Sequence, residues 1–209
     1  MDEKGIKSFS LESLGKMQSV AGEDDLVYNG CFLARRDSEK LRQMEVFKYP
    51  CRINAFIAIL CIRGSARGIH NMQRYTIKEN CLFLSIPNSI IQIESWDDCE
   101  VFITAIDEQY AKQMAIGQKK AISVYLAMKK SPYIELTGSE AESLIQTFNN
   151  MSSDMKLFRG EAYDDEILST SINLSAYKFF SIVSKYRNFA SAEAALSKGR
   201  DQDHYNRFM

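Results

Sequence analysis

Two histidines, His70 and His204, are all that the 209 residues supply. Metal sites built on two or three histidines, His-based catalytic triads and the HExxH helix are thereby excluded or nearly so. No GxGxxG and no GxxxxGKS/T is present, so the loops that cradle phosphates are missing. Charge of one sign is missing too: 26 Lys plus Arg stand against 27 Asp plus Glu, with no basic excess in either half. A surface that grips nucleic acid through its phosphates needs such an excess, so these residues by themselves are not expected to bind DNA or RNA. The longest apolar run, Ala55 to Ile62, is far short of the roughly 20 residues of a spanning helix. Met1-Asp2-Glu3-Lys4-Gly5 leads into no apolar segment, which argues against a secretory signal and for a cytoplasmic protein. The five cysteines, Cys31, Cys51, Cys61, Cys81 and Cys99, form no CxxC pair. They read as buried free thiols in a reducing compartment, and nothing beside them marks a redox sensor.

What is present is the composition of an ordinary globular chain, 45% hydrophobic and 25% charged. The length suits one large domain, or one domain and an appendage. Residues 26–107 are rich in β-branched and aromatic residues broken by short polar turns. Leu26–Leu33, Val46–Tyr49, Ile53–Ile62, Arg67–Met72, Cys81–Ile86, Ile90–Glu94 and Glu100–Ile106 read as strands. Strands in series with no helical pattern between them point to an antiparallel sandwich or barrel. Arg63-Gly64-Ser65 and Lys78-Glu79-Asn80 read as tight turns, and Pro87-Asn88-Ser89 closes the strand before it. The apolar run at 55–62 does not alternate, which marks a central strand buried on both faces.

After Asp107 the spacing turns helical. Tyr110–Met128 suits helix until Ser131-Pro132 interrupts it. Thr137-Gly138-Ser139-Glu140 has a capping-box pattern that opens a helix running to about Phe158. A third, long helix spans Tyr163 to Phe189. Leu168, Ile172, Ser175, Phe179, Ile182 and Tyr186 repeat along it in steps of four and three. A second stripe, Ile167, Leu174, Tyr177 and Phe180, broadens the apolar face. Two readings stand: the first stripe pairs with a second copy of the chain in heptad fashion, or both stripes pack on the domain itself. Residues 190–199 have the composition of a linker.

Little of this demands an enzyme. Asp24-Asp25, Asp97-Asp98 and Asp164-Asp165 are paired carboxylates, but in turns or at a helix start, where acids cap and solvate. Arg63, Arg67, Arg74 and Lys78 cluster around His70 with Glu79 the one acid among them. They either face a carboxylate or phosphate from a concave sheet or guard a solvated edge against aggregation. Trp96, the single tryptophan, either lines a pocket or anchors a turn.

Tyr49-Pro50-Cys51-Arg52-Ile53-Asn54-Ala55-Phe56, followed by Leu60-Cys61-Ile62-Arg63-Gly64, and then the run from Tyr75 to Pro87, carry a family resemblance. Together they resemble the N-terminal sensor domain of AraC-type transcriptional regulators over about residues 26–189. Arg200–Met209 resembles the lead-in to that family's helix-turn-helix module. The resemblance implies an α+β fold, a cupin-like antiparallel β-barrel (jelly-roll-like) followed by a helical dimerisation segment. The barrel would bind a small effector, the long helix would form a homodimer, and DNA would be reached only through a separate C-terminal domain. On this reading residues 1–107 are the N-terminal arm and barrel sensor, 108–189 the helical segment, and 190–209 the linker and start of the DNA-binding domain. Metal-binding cupins place histidine shortly after the proline, where this chain has Ile90-Ile91, so no metal or other cofactor is expected.

The expected function is effector sensing and dimerisation for a transcription regulator. The expected ligand residues are Asn54, Phe56, Arg63, Arg67, His70 and Trp96, with strand phase open by one residue. The alternative is a metal-free cupin-type enzyme, like a sugar isomerase or epimerase, using His70 or Tyr75 with a carboxylate. A third reading is a structural dimer module whose barrel is filled.

Overall fold

The computed structural model describes residues 6–16, 25–114, 125–126, 128–129 and 132–186. Two long strands organise it. β5 (Phe56–His70) and β8 (Ile90–Ile106) run antiparallel and stay paired almost end to end, from Phe56↔Ile106 to His70↔Ile91. The other strands attach to parts of this pair. β3 (Cys31–Arg36) lies on the second half of β8 and carries β2 (Leu26–Tyr28). β4 (Cys51–Asn54) pairs with the start of β8 and, in parallel, with β1 (Lys7–Ser10). β6 (Gln73–Lys78) folds back on the end of β5, and β7 (Cys81–Ser85) on its beginning. β9 (Tyr133–Glu135) extends the sheet beyond β7.

The fold is α+β, with one large mixed sheet and a few helices. Its hydrogen-bonded path runs from β1 to β9 and does not close on itself among the described residues. The closed barrel expected from the resemblance is thus not formed by the ladder; the sheet is bent and open. The segments expected as separate strands, Ile53–Ile62 with Arg67–Met72 and Ile90–Glu94 with Glu100–Ile106, merge largely into β5 and β8. Arg63-Gly64-Ser65 is correspondingly a bulge inside β5 and not a turn, with register shifts on either side of Arg63. Gly64 takes φ of +72°, and a Cβ there would lie 2.1 Å from the Asp98 carbonyl oxygen. A bulge bends its strand and adds twist, and here only glycine permits the two backbones to approach.

Val46–Tyr49, expected as a strand, is mostly a 3-10 turn, Glu45–Lys48. It follows α2 (Ser38–Gln43), which Asp37 caps by accepting from the Lys40 N–H at 2.8 Å. The Phe47 N–H donates to the Met44 carbonyl, so the chain keeps a helical turn until Pro50 forces it open. α1 (Leu11–Gly15) is capped by Ser10 and α3 (Glu108–Gln113) by Asp107. Most of the remainder of the helix expected over Tyr110–Met128 lies outside the described residues, as does everything from 187 onward.

Period-two alternation divides the strand residues between two cores. Leu33, Leu60, Leu82, Leu84 and Phe102 face α4 (Gly138–Leu157) and α5 (Asp164–Tyr186). Their sequence neighbours Phe32, Ala34, Cys61 and Val101 face the other way, toward Leu41, Met44 and Phe47. The capping box at α4 is as the sequence predicts: Thr137 N–H donates to Glu140 Oε2 at 3.0 Å and Glu140 N–H to Thr137 Oγ1 at 3.3 Å. All five cysteines are free and buried, and burial pushes the Cys31 thiol up to about 12 and Cys51 to about 11. Asp25 does not solvate a turn. It is buried against Arg36, with Arg36 Nη1 donating to Asp25 Oδ1 at 2.6 Å. Asp97 and Asp98 sit inside β8 at the bulge.

Candidate functional site

The side of the sheet away from α4 and α5 is not filled. β5, β6, β7 and β8 curl around a cavity of about 120 Å³, which Leu41, Met44 and Phe47 also line. Its walls are aliphatic and aromatic: Ile57, Ile59, Ile77, Ile91, Ile93, Ile103, Phe83 and Trp96 among them. Several of these, including Ile59, Ile77, Ile91, Ile93 and Trp96, are only partly buried although they point into the core. An apolar wall left wet loses roughly 25 cal/mol for each Å² not removed from water, so this surface gains by being covered. A packed structural core would leave no such wall.

The strands place few polar groups on the cavity. His70, the last residue of β5, is 7% exposed, and its Nε2 lies 3.1 Å from Ser85 Oγ at the end of β7, itself 3% exposed. That is the one hydrogen bond holding the His70 ring among the described residues. Three aromatic rings close around it: His70 to Phe83 at 5.2 Å, His70 to Tyr75 at 6.2 Å and Tyr75 to Phe83 at 5.8 Å, all edge-to-face. Burial lowers the His70 pKa to about 4, so the imidazole is neutral at pH 7. At the rim, Arg67 Nε donates to Ser95 Oγ at 3.1 Å, and Gln92 Nε2 donates to the Lys48 carbonyl at 3.0 Å. Tyr75 turns its hydroxyl toward Gln73 Oε1, 2.6 Å away. No Asp or Glu lines the cavity among the described residues.

Of the expected ligand residues, Arg67, His70 and Trp96 meet at this cavity and Asn54, Phe56 and Arg63 do not. Asn54 is exposed at the end of β4. Phe56 packs toward the helices on the other core. Arg63 points to solvent and pairs with Asp98 at 3.1 Å. Asn54 and Phe56 alternate with the cavity-lining Ile53 and Ile57 and so face away, while Arg63 lies at the bulge where the register of β5 shifts. Ser85, Phe83 and Ile77 escaped sequence reasoning even though they lie in the quoted run from Tyr75 to Pro87. Nothing in that run says which face is concave. Phe47 was obscured by reading its segment as a strand.

On α5 the first stripe turns inward. Leu168, Ile172 and Ile182 are buried in the core of the same chain, Ser175 and Phe179 are half-buried, and Tyr186 donates its hydroxyl proton to Glu140. The large apolar side chains that α5 exposes are Leu174 at 54% and Tyr177 at 45%, from the second stripe, and Tyr186 at 40%, from the end of the first. No described helix is long and apolar enough to cross a membrane.

No family model and no curated protein matches this chain. Among solved structures, it resembles unsaturated fatty acid-bound wild-type ToxT from Vibrio cholerae, with 13% identity, 77% of this chain and 57% of that chain covered, and a TM-score of 0.40. It resembles the AraC-like transcriptional activator CuxR at 11% identity, with 74% and 48% covered and a TM-score of 0.41. A Streptomyces PAC13 variant with uridine is similar at 14% identity over 39% of this chain and 62% of that one, with a TM-score of 0.30. The chain therefore spans less than two thirds of each of these structures. Likeness at this level identifies neither family nor activity.

Proposed function

We propose that the chain is a small-molecule-sensing and dimerisation domain of an AraC-type transcription regulator. The observation that carries the reading is the unfilled apolar cavity. The motifs that resemble the family run along the strands that build it, Cys51–Asn54, Phe56–His70 and Cys81–Ser85. The strongly bent sheet is the part of the cupin-like expectation that supports this reading. An effector covering Ile59, Ile77, Ile93 and Trp96 would favour one curvature of β5 and β8, and a ligand shifts an equilibrium by its differential affinity for two states. Dimerisation would use the exposed Leu174 and Tyr177 of α5, in place of the stripe headed by Leu168. DNA contact would belong to a separate module, a placement that the balanced charge of these residues supports.

The isomerase-like alternative needs a carboxylate beside His70 or Tyr75, and none lines the cavity among the described residues. The cavity equally disfavours a filled structural module. Two measurements test the regulator reading. Small apolar metabolites should raise the melting temperature of the chain, and the same compounds should change the DNA affinity of a version that carries the reading module. A melting temperature unmoved by any of a broad panel would end it.

A further inference from the structure

Resting on the ligand-sensing reading, we propose that the cavity selects an uncharged, ring-sized apolar molecule carrying a single hydroxyl or carbonyl, which hydrogen-bonds to His70 and Ser85. The size follows from the volume. About 120 Å³ is close to the roughly 150 Å³ of an apolar cavity that takes up benzene, so the enclosed space holds one ring or a short chain, and a further small substituent would reach the open rim beside Arg67. The shape of the wall points the same way, because Phe83, Tyr75 and Trp96 offer edges and faces that suit an aromatic or flat alicyclic body.

The single polar contact follows from counting hydrogen-bonding capacity. A neutral imidazole has one donor and one acceptor, and a serine hydroxyl has one donor and two lone pairs. The His70–Ser85 bond uses one position on each and leaves both able to serve a ligand. The groups facing His70 are Ser85 and Tyr75 on neighbouring strands and the Phe83 ring, none of them charged. Arg67 is the one cation on the wall among the described residues; its side chain is at the exposed rim, tied to Ser95. An anion buried beside His70 and Ser85 would lose its water with no charged partner, which is costly. A neutral hydroxyl or carbonyl meets donors and acceptors already in place.

The test compares three probes of similar size on the unaltered chain: 4-ethylphenol, ethylbenzene and 4-methylbenzoate. Trp96 is the single tryptophan and lines the cavity, so its one indole N–H resonance reads occupancy by NMR titration. The expected order is 4-ethylphenol tightest, ethylbenzene weaker by about fivefold, the worth of one hydrogen bond, and 4-methylbenzoate weakest. Ser85→Ala and His70→Phe should erase the advantage of the phenol while ethylbenzene still binds. A tighter 4-methylbenzoate would overturn the inference and leave the sensing reading intact. Equal affinity for the phenol and ethylbenzene, or a phenol preference that survives both substitutions, would also overturn it. No shift of Trp96 with any of the three probes would overturn this inference, and the sensing reading falls with it only if the broad metabolite panel also leaves the melting temperature unmoved. The comparison of probes needs no variant, so it stands even if His70→Phe fails to fold.

Discussion

His70 Nε2 lies 3.1 Å from Ser85 Oγ, although Ser85 is in backbone register with Ile57, at the opposite end of His70's own strand. Thirteen positions separate Ile57 from His70, and a flat strand of that length would carry them about 43 Å apart. Both meet Ser85 only because β5 curls through its bulges at Arg63 and between Arg67 and Gly68. The curl makes the cavity, and the side-chain bond spans it where no backbone ladder does.

A buried neutral histidine makes stability depend on pH. The unfolded chain takes up a proton on this residue near pH 6.5, while folded His70 resists until about 4. Its contribution is therefore complete above about pH 6.5 and is lost as pH falls toward 4, by up to about 3 kcal/mol. Urea midpoints measured from pH 7 to 4 should fall in the native chain, and this component should be missing in His70→Phe.

Gly64→Ala should destabilise the fold by about 1–3 kcal/mol, since a Cβ would strike the Asp98 carbonyl and φ of +72° is strained for alanine. Because the same bulge bends β5, the substitution should also weaken binding of any cavity probe in the NMR titration. Unchanged stability and unchanged binding would show that the bulge is not what shapes the cavity.

Asp25 and Arg36 form an ion pair in which both side chains are 3% exposed. Removing one partner should cost about 3–5 kcal/mol, because the other is left charged in the core. Arg36→Met should therefore lower the urea midpoint severely. The double variant Asp25→Leu with Arg36→Met should recover most of the loss.

Glu140 joins the start of α4 to the end of α5. It accepts from the Thr137 N–H and Lys185 Nζ and from the Tyr186 hydroxyl. The Tyr186 hydrogen bond, followed by the Thr137 backbone contact, lowers its pKa to about 2. The stabilisation is present above about pH 4.5 and is lost as pH falls toward 2, a window below that of His70. Thr137→Ala should cost about 1 kcal/mol by thermal unfolding. Tyr186→Phe should raise the Glu140 pKa, readable from the carboxyl carbon by NMR.

Local chemistry made much of this fold legible. The capping box at Thr137, the helix end near residue 158, and the turn at Pro87 follow from interactions within a few residues of chain. The surroundings of Asp25 and of the first stripe of α5 were not legible, for the opposite reason. An acid reads as solvated until the tertiary structure sets Arg36 beside it, and a helical stripe looks the same whether a partner or its own sheet covers it.

The sequence by itself determined the ingredients: balanced charge, too few histidines for the usual catalytic and metal sites, a run of strands followed by helices, and thiols that stay free. Only the tertiary structure decided which residues share a cavity. Along a strand, side chains alternate between faces with a period of two, and each bulge in β5 and β8 resets that phase. His70, Arg67 and Trp96 were brought together with Ser85, while Asn54, Phe56 and Arg63 were sent elsewhere. Where a bulge falls depends on how two long strands fit against each other, and neither strand's sequence contains that fit alone.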